Sequence, residues 1–270
     1  MTDIIDDPLQ RRYRAVGTAL AVSVYVFLLS PLVITIPMAF GTANTLTFPP
    51  TEFSLDLFRT FFNSPGWVNP LLNSIKIALA TTSLSLFAGT LAAYWLVRRE
   101  FLGRALITGV IMSPLIVPSV ISGLGLYLYF SYFRINSSTL SIVLGHIMVV
   151  LPFVVVMIMA GMNKLDRNLE FGAELMGAGT IRMFVTVVLP QLVPSLVSAA
   201  LFAFLSSFDE FILSWFLSGP DTITLPVRMY NALNWEVSPV IAAVSTLMMA
   251  LSLVVCVAAI SLRKATPADG

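Results

Sequence analysis

Apolar residues in this chain gather into six long stretches, 16–40, 71–97, 105–131, 140–162, 192–217 and 240–262. A helix that crosses a bilayer needs about 20 consecutive, mostly apolar residues, and each stretch meets that length. The pattern predicts an all-α membrane protein with about six transmembrane helices, organised as a single transmembrane domain over 1–270. Prolines fall inside most of the stretches, at Pro31, Pro37, Pro114, Pro118, Pro152 and Pro194. Proline removes a backbone donor and kinks a helix. Membrane helices tolerate it where neighbours satisfy the freed carbonyls, which points to bent helices around a cavity rather than straight anchors.

The polar connections differ in kind. Residues 41–70 read as an outer loop in which Phe53, Leu57, Phe61 and Phe62 recur at helical spacing among Glu52, Asp56 and Arg59, as in a short interfacial helix. Residues 98–104 and 132–138 read as tight turns, and 218–239 as a second outer loop with a turn at Gly219-Pro220. The longest inner connection is 163–189. The first apolar run follows Arg11, Arg12 and Arg14, and Gly41-Thr42-Ala43 loosely resembles a cleavage site. The run is too long for a signal core of about 7–15 residues, so it is expected to be an uncleaved span.

Charge fixes the orientation. With the N-terminus inside and six crossings, Arg11, Arg12, Arg14, Arg98, Arg99, Arg104, Lys164, Arg167, Arg182, Arg263 and Lys264 fall on the inner side. Arg59, Lys76, Arg134 and Arg228 fall on the outer side. That bias places both termini in the cytoplasm. Composition agrees with a bilayer as solvent: 57% of residues are hydrophobic, 11% are charged, and the mean hydropathy is +0.91, whereas soluble domains are about a quarter charged. A net charge of +1 gives no field for nucleic acid. One cysteine, Cys256, leaves no intrachain disulfide and no cysteine-based metal site, and there is one histidine, His146. His146 lies in an apolar run and reads as a buried, hydrogen-bonded side chain.

Two segments carry candidate chemistry. In the inner connection, Leu165, Leu169, Ala173 and Met176 fall on one helical face, flanked by Asp166, Arg167, Glu170 and Glu174. Gly177 and Gly179 suit a helix end, and Leu189-Pro190 is expected to break the chain before the fifth span. Gly172, Ala173, Gly177 and Ala178 favour close packing against a partner. In the fifth stretch, Asp209 and Glu210 are charges at membrane depth. These are expensive and call for a pathway or a buried partner; an acidic site suits a cation. Trp215 and Tyr127 offer faces for cation–π contact, as well as serving as interfacial anchors. Trp235 and Glu236 are candidates for contact with a periplasmic protein. No GxxxxGK[ST] phosphate loop is present, and no constellation for catalysis accompanies the single His, so the chain is not expected to be an enzyme.

The inner connection resembles the signature loop of permease subunits from binding-protein-dependent ABC importers of the type I architecture. That signature runs Glu-Ala-Ala, a glycine four residues after the second alanine, nine residues, then Ile-x-Leu-Pro. Here the positions are Phe171-Gly172-Ala173, Gly177, then Val187-Val188-Leu189-Pro190. Phe171 replaces the acid, and Glu170 or Glu174 would have to meet a partner arginine in its place. Asn73-Ser74, Ser207-Phe208-Asp209-Glu210-Phe211, Ser218-Gly219-Pro220, Thr224-Leu225-Pro226 and Val237-Ser238-Pro239 look like the spermidine/putrescine permease subgroup.

The resemblance implies a bacterial inner-membrane permease whose loop helix couples to a cytoplasmic ATPase through Glu170, Phe171, Gly172, Ala173, Glu174, Gly177, Leu189 and Pro190. It further implies a second, similar but distinct permease subunit, two copies of the ATPase that bind ATP and Mg, and a periplasmic substrate-binding protein. A polyamine is the expected cargo; an opine, an amino acid derivative or an organic anion is the alternative. From a different class, a secondary transporter would show inverted repeats, and none is visible.

Overall fold

The computed structural model describes residues 8–42, 48–236 and 238–265. Among them the regular elements are helical. Five helices are long and apolar enough to cross a membrane: Arg12–Ala39, Pro65–Arg98, Thr139–Met162, Thr180–Phe208 and Val240–Ala258. A bent pair, Arg104–Leu115 and Ser119–Tyr132, is long and apolar enough only when taken together, as a broken span or a re-entrant loop, and brings the total to six when counted as one span. The chain forms two compact units.

The first unit holds α1 (Pro8–Ala39), α2 (Asp56–Asn63) and the 240–249 part of α12 (Val240–Ala265). Large apolar side chains along α1, among them Tyr25, Phe27 and Leu28, stand exposed, as expected where lipid or another subunit replaces water. Ser54 Oγ accepts the Asp56 N–H at 2.9 Å and opens α2. Leu57 and Phe61 are buried, whereas Phe53 lies before the helix and, like Phe62, is exposed. The short helix in this loop is therefore real but covers fewer of these residues than the spacing suggested. Ala43 of the cleavage-like tripeptide and Val237 lie outside the described residues.

The second unit is built on α3 (Pro65–Arg98), α6 (Thr139–Met162) and α9 (Leu189–Phe208), which pack against one another. Pro65 sits at the first helical position, where its missing N–H costs nothing, so α3 starts well before residue 71. Its 34 residues span about 51 Å, more than the hydrocarbon core of about 30 Å. Ala93, Leu96, Val150, Val154, Val155, Ile158, Leu192, Ala199 and Ala203 form the packed centre. Gly89 lets α3 approach α6: a Cβ there would stand 2.7 Å from Val154 Cγ1. Pro152 is accommodated without interrupting α6.

Three sequence expectations need correction. The third apolar stretch is not one continuous helix but α4 (Arg104–Met112), a 3-10 turn Ser113–Leu115 and α5 (Ser119–Tyr132), bent by 103°. Pro118 has φ −55 and ψ 132, and the residue before a proline is pushed out of the helical region. Second, Leu189-Pro190 does not break the chain. α8 (Thr180–Met183), a π turn Phe184–Val188 and α9 run on as the single helix Thr180–Phe208. Leu189 N–H bonds to Phe184 O, so the π turn shifts the hydrogen-bond register just ahead of Pro190 and the helix continues past it. Third, the fifth stretch is not helical through 217: α9 ends at Phe208 and α10 (Ile212–Leu217) restarts after a break.

Candidate functional sites

The inner connection carries α7 (Arg167–Leu175). Asp166 Oδ1 accepts the Asn168 N–H at 2.9 Å and caps its start. At its end Gly177 N–H bonds to Glu174 O at 2.9 Å and Ala178 N–H to Ala173 O at 3.0 Å. This is the Schellman arrangement, with a left-handed residue after the helix; Gly177 has φ +83. The motif glycine is thus a stop signal that turns the chain back into α8.

The orientation of α7 differs from the face read in the sequence. Glu170 and Ala173 point inward and are buried, whereas Leu169 is half exposed and Met176 is exposed. Glu170 Oε1 pairs with Arg98 Nη2 at 2.5 Å, and Arg98 Nη2 also donates to Met162 O at 3.4 Å. Glu170 is thereby occupied inside the subunit rather than presented to a partner; Glu174 is exposed. Arg167 lies over the Phe171 ring at 5.5 Å. Packing against α8 and the π turn, with Tyr94 edge-on to Phe184 at 5.0 Å, seats the loop. An apolar edge remains open: Leu175, Met176 and Ile181 are 89%, 86% and 82% exposed. A side chain at Gly172 would meet nothing within 4 Å, so close approach is free there. Leu189 and Pro190 follow the π turn and are not brought onto this edge.

The carboxylates at the break form a second locus. Asp209 and Glu210 line one recess of about 460 Å³ with Phe202, Leu205 and Ser206. Glu210 Oε1 accepts the Leu213 N–H at 3.0 Å and so caps α10, a structural role beside any other. Phe211, Trp215 and Tyr230 stand together, with centroids 4.8 Å apart for Phe211–Tyr230 and 6.0 Å for Trp215–Tyr230. Phe202, Phe211 and Tyr230 were not among the sequence candidates. Phe211 and Trp215 could have been paired from their i, i+4 spacing, but nothing local marks Tyr230. Tyr127 lies on α5, which packs against α10; no described contact joins its ring to the carboxylates. His146 is buried as expected, with Nδ1 2.8 Å from Ser207 Oγ and Nε2 3.0 Å from Ser214 Oγ. Among the described residues no group of three His, Cys, Asp or Glu could hold a metal.

On the outer side, the Asn73-Ser74 pair lies within α3, not at its start. Asn73 Nδ2 donates to Asp221 O and Ile223 O at 3.0 and 3.1 Å. Ser74 Oγ accepts the Leu225 N–H at 2.8 Å, at the start of α11 (Leu225–Asn231). Arg228 grips Glu236 with both nitrogens at 2.6 and 2.9 Å and covers Trp67 at 4.6 Å. The guanidinium beside it holds the Glu236 carboxyl below its ordinary pKa. Trp235 is left exposed.

These features match known proteins. The spermidine/putrescine transport system permease protein of Haemophilus influenzae is 27% identical over 234 residues, covering 87% of this chain and 91% of that protein. The putrescine transport system permease protein of Escherichia coli K12 is 28% identical, covering 83% of this chain and 82% of that one. Among solved structures, a bacterial alginate ABC transporter in complex with an alginate pentasaccharide-bound periplasmic protein contains a chain of the same fold. It superimposes with a TM-score of 0.71 at 15% identity, covering 94% and 95% of the two chains. The model of one transport family matches residues 85–265, and by that match the chain belongs to the family of binding-protein-dependent transport system inner membrane components.

Proposed function

We propose that this permease serves an ATP-driven importer of polyamines or closely related amines, handed over by a periplasmic binding protein. The observation that carries the coupling part is the open apolar edge of α7 and α8. Leu175 and Met176 stand exposed at the end of α7, which is capped at both ends and held by a buried ion pair, and Ile181 stands exposed on α8. An exposed apolar patch bordered by polar groups marks a protein-binding surface, and a helix edge suits docking into a groove. The partner is a cytoplasmic ATPase, in two copies, that binds ATP and Mg. A second, similar but distinct permease completes the path. Phe171, Gly172, Ala173, Glu174 and Gly177 form the seat, Glu170 anchors it from within, and Leu189 and Pro190 set the helix that returns from it.

The cargo reading rests on two supports. The relatives above carry spermidine and putrescine in their names. The break beyond α9 offers an amine two carboxylates in one recess that Phe202 also lines, and the chain just after it carries the aromatic group Phe211, Trp215 and Tyr230. ATP enters as a bias on a two-state equilibrium: a ligand moves the spans only by its differential affinity for inward- and outward-open states. The reading is tested with the reconstituted complex in vesicles holding internal ATP but no ion gradient. Labelled spermidine or putrescine should accumulate when the binding protein is supplied. Accumulation driven by a gradient without ATP would replace this reading with a secondary transporter. ATP-dependent uptake of an opine or an organic anion instead would leave coupling intact and change the cargo.

A further inference from the structure

The family signature places its acid on the coupling loop, and an acid on an exposed loop is naturally read as a contact for the motor protein. The geometry here is different. Glu170 is 7% exposed, and its carboxylate meets the Arg98 guanidinium, whose side chain is equally enclosed. Arg98 is the last residue of α3, and the same Nη2 reaches the Met162 carbonyl at the last residue of α6. One guanidinium therefore joins the inner ends of two spans to α7. The contact is an ion pair rather than a complete hydrogen-bond network, since Arg98 Nε and Glu170 Oε1 have no hydrogen-bond partner.

A buried ion pair of this kind contributes little net stability, because desolvation offsets the attraction. Its effect is on geometry: removing one partner strands a charge, while removing both does not. α7 also packs against α8 and the π turn, and its Ala173 joins the buried cluster that holds Ala93, Tyr94 and Leu96. Among the described residues, the Arg98–Glu170 pair is a polar link that runs directly from α7 to α3.

We propose that Arg98 is a positioning residue for coupling. By holding Glu170 inside the subunit it fastens α7 to the inner ends of α3 and α6, so that displacement of α7 moves two spans together. This rests on α7 being the docking helix. It makes Glu170 an internal strut, not a contact for the ATPase.

The test is a double-mutant cycle on the assembled complex in proteoliposomes, with Arg98→Gln, Glu170→Gln and the pair combined. The quantity read is substrate taken up per ATP hydrolysed. Poor folding lowers uptake and hydrolysis together and leaves this ratio unmoved, whereas a loosened strut lowers it. Each single change should reduce the ratio by about tenfold, and the double variant should lie within about threefold of the better single rather than at their product. Arg98→Lys, which keeps the charge but not the fork, should fall between wild type and Arg98→Gln. Multiplying effects would overturn the proposal, as would a loss confined to Glu170→Gln with Arg98→Gln unaffected, because Glu170 would then act on another subunit. Absence of ATP-dependent uptake by the wild-type complex would instead remove the functional reading and this inference with it.

Discussion

Gly177 shows how much a single position on the inner loop has to do. Its φ of +83 lies where a Cβ costs about 1–2 kcal/mol, although space around it is open. Gly177→Leu should therefore insert normally but let α7 run past its stop, displacing Leu175 and Met176; substrate-stimulated ATP hydrolysis should vanish while membrane levels hold. At the break, Asp209→Asn combined with Glu210→Gln keeps an acceptor for Leu213 N–H and removes the charge. If both acids meet a cationic cargo, uptake should drop about 10–100-fold, the worth of one charged hydrogen bond, with basal hydrolysis unchanged. Unaltered uptake would assign both residues to structure alone. On the outer side, the Arg228 guanidinium depresses the Glu236 pKa. A group ionised more readily when folded adds stability above its unfolded pKa, which is lost as pH falls through the folded one. Thermal stability of the wild type should accordingly fall more than that of Glu236→Gln as pH drops below about 4.5, the ordinary value for Glu. The glycine stop and the carboxylates were legible in the sequence because each follows a local rule. The Arg98–Glu170 pair was not, because its partners are far apart in the chain and only the packing of α3 on α6 and α7 unites them.

Among the elements, apolar run length located the crossings but not their continuity. Pro118 lies at a 103° bend because it is the non-helical N-cap of α5 and disfavours a helical conformation in the residue before it. Pro190 did not end the helix, because a π turn shifts the hydrogen-bond register just before it. The two prolines look alike in sequence and differ only in where the helix register puts them. Amphipathic spacing found α2 and α7 but chose the wrong face for each in part: Phe53 precedes α2, and Glu170 rather than Leu169 is buried on α7. Burial of an acid is set by Arg98, which periodicity does not see. Helix contact is set more finely still. Gly89→Val would push a branched side chain into Val154 and should lower stability by about 1–3 kcal/mol, read as a reduced melting temperature in detergent. A comparable drop should not follow at Gly109, where a Cβ meets nothing within 4 Å.

For the whole molecule, a string of apolar runs, a positive inner side and one glycine-stopped loop combine into an inner membrane component of a binding-protein-dependent transport system. The charge bias that orients the chain also decides whether α7 can meet a cytosolic motor. That orientation is the central claim, and labelling tests it most directly. In a Cys256→Ser background, which removes the free cysteine, Met176→Cys offers a thiol at an exposed position on the apolar edge. A membrane-impermeant maleimide should label it only from the cytosolic side, and addition of the ATPase partner should protect it. Labelling from the periplasmic side, or equal labelling with and without the ATPase, would contradict the account.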